Sequence, residues 1–200
     1  AEIVQTMTQR WTMSTQGNKN RSLRIGTLLG GGLVLGYQCS SRCRHCLYAA
    51  EPRRDDGGPR NEAELETLLD LLAKQAPRAH FHIGGGEPML QRNLLKQAIS
   101  GFRDRGLRLD YVETNGSWVT SREQAESILA DLHESGLNCV LVSLSPFHNE
   151  FIPLEKTLTL IEAAQRVLPG GAFVWIPEFL RELKGGRGAA DATSRLNLDE

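Results

Sequence analysis

Charge imbalance is nearly absent from this sequence. Its 200 residues carry 23 Lys and Arg against 24 Asp and Glu, a formal net charge of −1. A nucleic-acid footprint is ordinarily a basic excess, so no nucleic-acid partner is expected. The local basic spots at Arg42, Arg44, Arg53 and Arg54 read as a solvated loop. Long apolar runs are also missing. The stretch "IGTLLGGGLVLG" (Ile25 to Gly36) is glycine-rich and far shorter than the ~20 residues that span a bilayer, so no membrane association is expected. No basic start precedes an apolar core, so no secretory signal is read in these residues. Cysteine is scarce, at four residues. Without a sign of export these thiols point to metal binding or catalysis rather than disulfides, and to a reducing cytoplasm.

What is present alternates. Residues 1–24 lack periodicity and read as a polar lead-in. "GLVLGYQ" (Gly32 to Gln38) reads as a first strand and "NEAELETLLDLLAKQA" as a helix. Asn61 and Glu64 approximate a capping box, and Leu65, Leu68, Leu69 and Leu72 share one face. The unit repeats: "AHFHI" before "LQRNLLKQAISGFRDR", "LDYVE" before "SREQAESILADLHES", "NCVLVSLS" before "PLEKTLTLIEAAQRVL", then "AFVWI". Strands alternating with helices imply parallel pairing through right-handed crossovers. The expected fold is α/β, a partial parallel (β/α) barrel of about five recognisable strands. The core is placed at 25–182, followed by a flexible or truncated tail at 183–200 in which no sixth strand is read.

In such folds ligands gather at the carboxyl ends of the strands. Four unusual segments follow strand ends here: "CSSRCRHC", "GGGEP", "TNG" and "SLSPFHNE". Cys39, Cys43 and Cys46 are spaced C-x3-C-x2-C. Three thiolates on one loop can hold three irons of a cubane cluster and leave the fourth iron open for a ligand that is not cysteine. A structural zinc site is the rival, with His45 or another histidine as fourth ligand.

"CSSRCRHC" after the first strand and "GGEP" (Gly85 to Pro88) after the second make the sequence resemble the radical S-adenosylmethionine (SAM) enzymes, over roughly residues 33–177. The resemblance implies a [4Fe–4S] cluster on Cys39, Cys43 and Cys46, with SAM chelating the open iron. It also implies one-electron cleavage of the sulfonium to a 5′-deoxyadenosyl radical that takes hydrogen from a substrate. Gly85, Gly86, Glu87 and Pro88 would then meet the amino group of SAM, the backbone around His45 would approach its adenine, Asn115 of TNG would lie near the pocket, and Ser143, with Ser145 after it, would meet the ribose. An electron donor such as flavodoxin or ferredoxin and a small-molecule or peptide substrate would be the partners. An activating enzyme acting on a partner protein, or a zinc-binding module, are the alternatives.

Other residues are weighed on position. His148 sits just past a strand end and is the candidate catalytic side chain, with Asn149 and Glu150 beside it. His80 and His82 share one side of a strand and read as satisfied histidines facing a polar interior. Cys139 starts its strand, about 13 Å below Ser143 at ~3.3 Å per residue, and reads as a small core residue. Tyr48 and Trp175 read as packing residues, with Trp175 and Glu178 as further cavity candidates.

Overall fold

A computed structural model describes residues 27–175 and 177–185. The expected lead-in at 1–24 and the expected tail beyond residue 185 lie outside the described residues. Five strands, β1 (Gly30–Val34), β2 (His80–Gly84), β3 (Arg108–Thr114), β4 (Val140–Val142) and β5 (Ala172–Val174), form one sheet in chain order. Every neighbouring pair is parallel. The helices are α1 (Glu62–Gln75), α2 (Arg92–Asp104), α3 (Arg122–Ser135), α4 (Pro146–Asn149), α5 (Leu154–Val167) and α6 (Pro177–Lys184), with a 3-10 turn at Pro88–Gln91. The expected α/β partial barrel is the observed architecture. Among the described residues no helix is long and apolar enough to cross a membrane.

Local chemistry sets the element ends. Asn61 accepts from the Glu64 amide at 3.0 Å to start α1, while the Glu64 carboxylate reaches back to the amide of Arg60 at 3.0 Å. Ser121 and Gln124 repeat this at α3: Ser121 accepts from the Gln124 amide at 3.2 Å and Gln124 accepts from the Thr120 amide at 3.2 Å. Each is a capping box whose return bond lands one residue early. Gly136 closes α3 at φ 125°, a conformation that favours glycine.

The two faces of the sheet differ. Leu33, Phe81, Ile83, Val112, Val140 and Val142 face the helices and pack on Leu65, Leu69, Leu95, Ile99, Phe102, Leu129 and Leu160, all buried. Burial of each such side chain is worth about 1.5–3 kcal/mol. By strand alternation the other face carries His82 and Gly84 from β2 and Tyr111 and Glu113 from β3. A register shift between Phe81 and His82 leaves Asp110 as the extra residue on β3.

The boundaries differ from expectation at several elements; β4 is Val140–Val142 and β5 is Ala172–Val174, each shorter than the run read as a strand. β1 runs from Gly30 to Val34, so 35–38 belong to the loop that follows it. "SPFHNE" is not an open loop: Ser145 caps α4, accepting from the His148 amide at 3.4 Å. Pro at the first turn and Ser at the cap supply that helix start.

Candidate functional site

The cysteine loop is held by the ends of three strands. Below it, the Gly86 amide donates to the Gly36 carbonyl and the Glu87 amide to the Gln38 carbonyl, both at 2.8 Å. From the end of β3, the Asn115 side-chain amide donates to Cys39 Sγ at 3.5 Å and to Ser40 Oγ at 3.0 Å, and Ser40 Oγ donates to Ser117 Oγ at 2.8 Å. From α4, Glu150 pairs with Arg44 at 2.8 Å and Phe147 stacks on His45 at 4.5 Å. Inside the loop the Cys46 amide donates to the Cys43 carbonyl at 3.1 Å, which turns the segment back on itself.

These ends enclose a cavity of ≈ 500 Å³. Of the residues singled out in the sequence, Cys39, Cys43, Cys46, His45, Gly85, Gly86, Asn115, Ser143 and His148 all line it, as do Ser145, Tyr48 and Trp175. Glu87 and Pro88 do not. The Glu87 carboxylate is 2% exposed and accepts three hydrogen bonds: from the Met89 amide at 3.1 Å, Thr114 Oγ1 at 2.8 Å and the Asn115 amide at 2.7 Å. It is a buried strut between the ends of β2 and β3. Its three accepted hydrogen bonds give the carboxylate a positioning role at the rim. Burial is the main cause that pushes its carboxyl up to about 7, against the three donors that lower it. Pro88 is buried and opens the 3-10 turn that Glu87 caps.

The glycine turn is also explained by the chain itself. A Cβ on Gly86 would lie 2.0 Å from the Gln38 carbonyl oxygen. Only glycine lets the β2 turn come this close to the base of the cysteine loop.

Burial raises the Cys39 thiol and raises Cys43 to about 12, with repulsion among the three sulfurs adding to both. The Ser41 backbone N–H and the Ser40 hydroxyl act in the opposite direction on Cys39. These sulfurs ionise readily only with a strong positive charge beside them. All four cysteines are free. Among the described residues no group of three or more His, Cys, Asp or Glu side chains is placed to hold a single metal ion. In a cubane each thiolate takes a different iron, so convergence on one point is not needed.

His148 is half-buried, with Nδ1 at 2.7 Å from Ser145 Oγ and its ring edge-on to His45 at 4.9 Å. Burial, then His45, lowers its pKa to about 4, so the imidazole is neutral near pH 7. Burial also lowers His45, with Glu150 opposing. Ser145 is thus occupied with His148 and the helix cap.

Residues 33–183 match the Radical SAM superfamily. The chain belongs to the radical SAM superfamily. A curated relative, the uncharacterized protein MJ0804 of Methanocaldococcus jannaschii, is 30% identical over 119 residues, covering 59% of this chain and 35% of that protein. The chain thus spans about a third of that relative's length. Among solved structures, anSMEcpe with bound AdoMet superposes with a TM-score of 0.56 at 18% identity, covering 79% of this chain and 49% of the other. Methylornithine synthase (PylB) gives 0.52 at 14%, covering 74% and 43%. The radical SAM methyltransferase TsrM from Kitasatospora setae gives 0.51 at 22%, covering 82% and 34%. At these identities the likeness establishes the fold, and it agrees with the expected radical SAM architecture. Membership supports SAM-dependent radical chemistry, and the family implies a [4Fe–4S] cluster and SAM.

The residues present fit those groups. Three thiols lie on one loop beside a cavity, and the Ser41 backbone N–H and the Asn115 side-chain amide are directed at the Cys39 sulfur. Ser41 Oγ is buried with no hydrogen-bond partner among the described residues. The radical SAM core also contains features that the sequence reading passed over. Glu113, Phe147 and Phe179 line the cavity. Glu113 ends the quoted "LDYVE", and the alternation of β3 was the signal that turned it away from the helices. Trp175 is 73% exposed rather than core, and Glu178 lies on α6, paired with Arg181. Cys139 is half-buried, 3.4 Å from the Gly170 carbonyl. His80 meets Asp110 at 3.0 Å, and Tyr48 stacks on Tyr37 at 5.9 Å.

Proposed function

We propose that this radical SAM chain holds a [4Fe–4S] cluster on Cys39, Cys43 and Cys46, binds SAM in the adjoining cavity, and acts on a small molecule or a peptide. The observation that carries the reading is the common wall: the three thiols, the Gly85–Gly86 turn, Asn115 and Ser143 border one space of ≈ 500 Å³. When bound, the cluster and SAM supply reductive cleavage to methionine and a 5′-deoxyadenosyl radical.

The chain's own residues orient and enclose. Asn115 steadies Cys39 and Ser40, and Glu87 steadies Asn115. Gly85 and Gly86 border the cavity with backbone alone, and Ser143, after β4, borders it as well. His148, neutral and fixed by Ser145, is the side chain that can exchange a proton with bound substrate. Flavodoxin or ferredoxin supplies the electron, and a reducing cytoplasm is the compartment in which free thiols persist. Exposed Leu47 and Trp175 at the cavity favour a second reading, an activating enzyme whose substrate is a partner protein.

The test is anaerobic reconstitution with iron and sulfide, then dithionite and SAM. About four irons per chain and release of 5′-deoxyadenosine are expected, and Cys43→Ala abolishes both. One zinc per chain, or nucleoside formed by Cys43→Ala at the wild-type rate, refutes the reading. Nucleoside formed only on addition of a protein partner selects the activating role.

A further inference from the structure

One acid stands apart in the cavity. Among the described residues that line it, Glu113 supplies the one carboxylate, and none is Lys or Arg. Its side chain is 29% exposed and is not consumed by the rim contacts that occupy Glu87, Asn115 and Ser145. His82 Nε2 stands 3.5 Å from Glu113 Oε1. The His82 ring is stacked on Tyr111, with centroids 5.1 Å apart and planes at 10°, and Tyr111 meets Phe173 edge-on at 5.1 Å.

The backbone makes room for this pair. A Cβ on Gly84 would lie 2.7 Å from Glu113 Oε2, and a Cβ on Gly32 would lie 2.7 Å from His82 Nε2. Two neighbouring strands therefore give up a side chain where the carboxylate and the imidazole sit. The first glycine of "GGGEP" and the last of "GGG" in β1 gain a purpose that the cysteine loop and the turn did not require. Glu113 lies on β3 and so is held by a sheet rather than by a loop. Burial raises its carboxyl and His82 opposes that shift, the condition in which a cation set against the acid is most favourable.

We propose that Glu113, flanked by His82, receives an ammonium group of the substrate, so that the substrate is an organic amine in its protonated form. The inference rests on the radical SAM reading and deepens it. A carboxylate substrate group placed at Glu113 would meet repulsion; an ammonium would meet a charge-assisted hydrogen bond.

The reconstituted protein with SAM is titrated anaerobically with n-hexylammonium and with neutral 1-hexanol, each followed by saturation-transfer NMR. Hexylammonium is expected to bind about tenfold more tightly, the scale of one charged hydrogen bond. Glu113→Gln removes the preference, and Gly84→Ala, which keeps the acid but crowds it, diminishes it. Equal affinities in the wild type, or a preference that survives Glu113→Gln, overturns the proposal. So does a tenfold loss of SAM affinity in Glu113→Gln with hexylammonium binding unchanged, which would assign the acid to the cofactor. 5′-Deoxyadenosine formation by the wild type under dithionite separates the two levels. No nucleoside sinks both the radical SAM reading and this inference; nucleoside without ammonium preference sinks the inference alone. Displacement of hexylammonium by the peptide acetyl-Gly-Lys-Gly-amide more readily than by free L-lysine places the amine on a peptide, and the reverse order places it on a small molecule.

Discussion

Glu87→Gln keeps the shape of a buried side chain and removes its charge. In the native chain burial pushes the Glu87 carboxyl up to about 7, from an ordinary 4.5. Between these two values the folded protein keeps a proton that the unfolded chain has released, so stability falls as pH rises through the window and levels off above it. At ~1.4 kcal/mol for each pH unit the gap is worth about 3 kcal/mol. Glutamine cannot titrate. Its NH2 group replaces one of the oxygens that accept from Met89, Thr114 and Asn115, and that mismatch costs about 1–3 kcal/mol at every pH. The advantage of the wild type over Glu87→Gln is therefore greatest near pH 4.5 and smaller by about 3 kcal/mol at pH 8. Urea unfolding of both metal-free chains, under reductant and across that range, measures it; other carboxylates cancel in the difference. A difference that stays flat, or that grows with pH, refutes the view of Glu87 as a strut whose desolvation outweighs its three donors.

The remaining predictions concern the core and the cavity. Phe102, fully buried and 5.5 Å from Phe81, should cost about 3–5 kcal/mol when replaced by Ala; a loss below 1 kcal/mol in urea unfolding would mean the helix-facing core is not packed as described. His148 should remain neutral above pH 5.5, because burial brings its pKa down to about 4. With the folded value below the ordinary 6.5, its contribution to stability is intact above pH 6.5 and is lost as pH falls toward 4. Ring-proton NMR checks this directly, and a His148 midpoint near 6.5 contradicts it.

The parts of the fold that local chemistry dictates were readable from the chain. Asn61, Ser121 and Gly136 mark helix ends by their own hydrogen bonds or backbone angles, and the leucines of α1 show their face by spacing. The order of motifs along the rim was readable too, because each follows a strand and parallel strands point one way. What escaped depends on partners distant in sequence. Nothing local in "GGGEP" says that Glu87 is buried under Thr114 and Asn115, 27 and 28 residues on. Nor does it say that Gly86 is glycine for the sake of Gln38. Trp175 resembles core by residue type, but β5 is short and leaves it exposed. The short helix α4 was hidden because four residues carry too little periodicity to register.

The moorings of the cysteine loop come from Gly86, Asn115, Ser117, Phe147 and Glu150. Instructions for gathering three thiols are thus written across more than a hundred positions, and a decapeptide copied from 39–48 lacks nearly all of them. Alkylation of these sulfurs becomes a gauge of the whole sheet: a lesion far from the rim that loosens β3 or β4 unmasks the thiols as surely as damage to the loop itself.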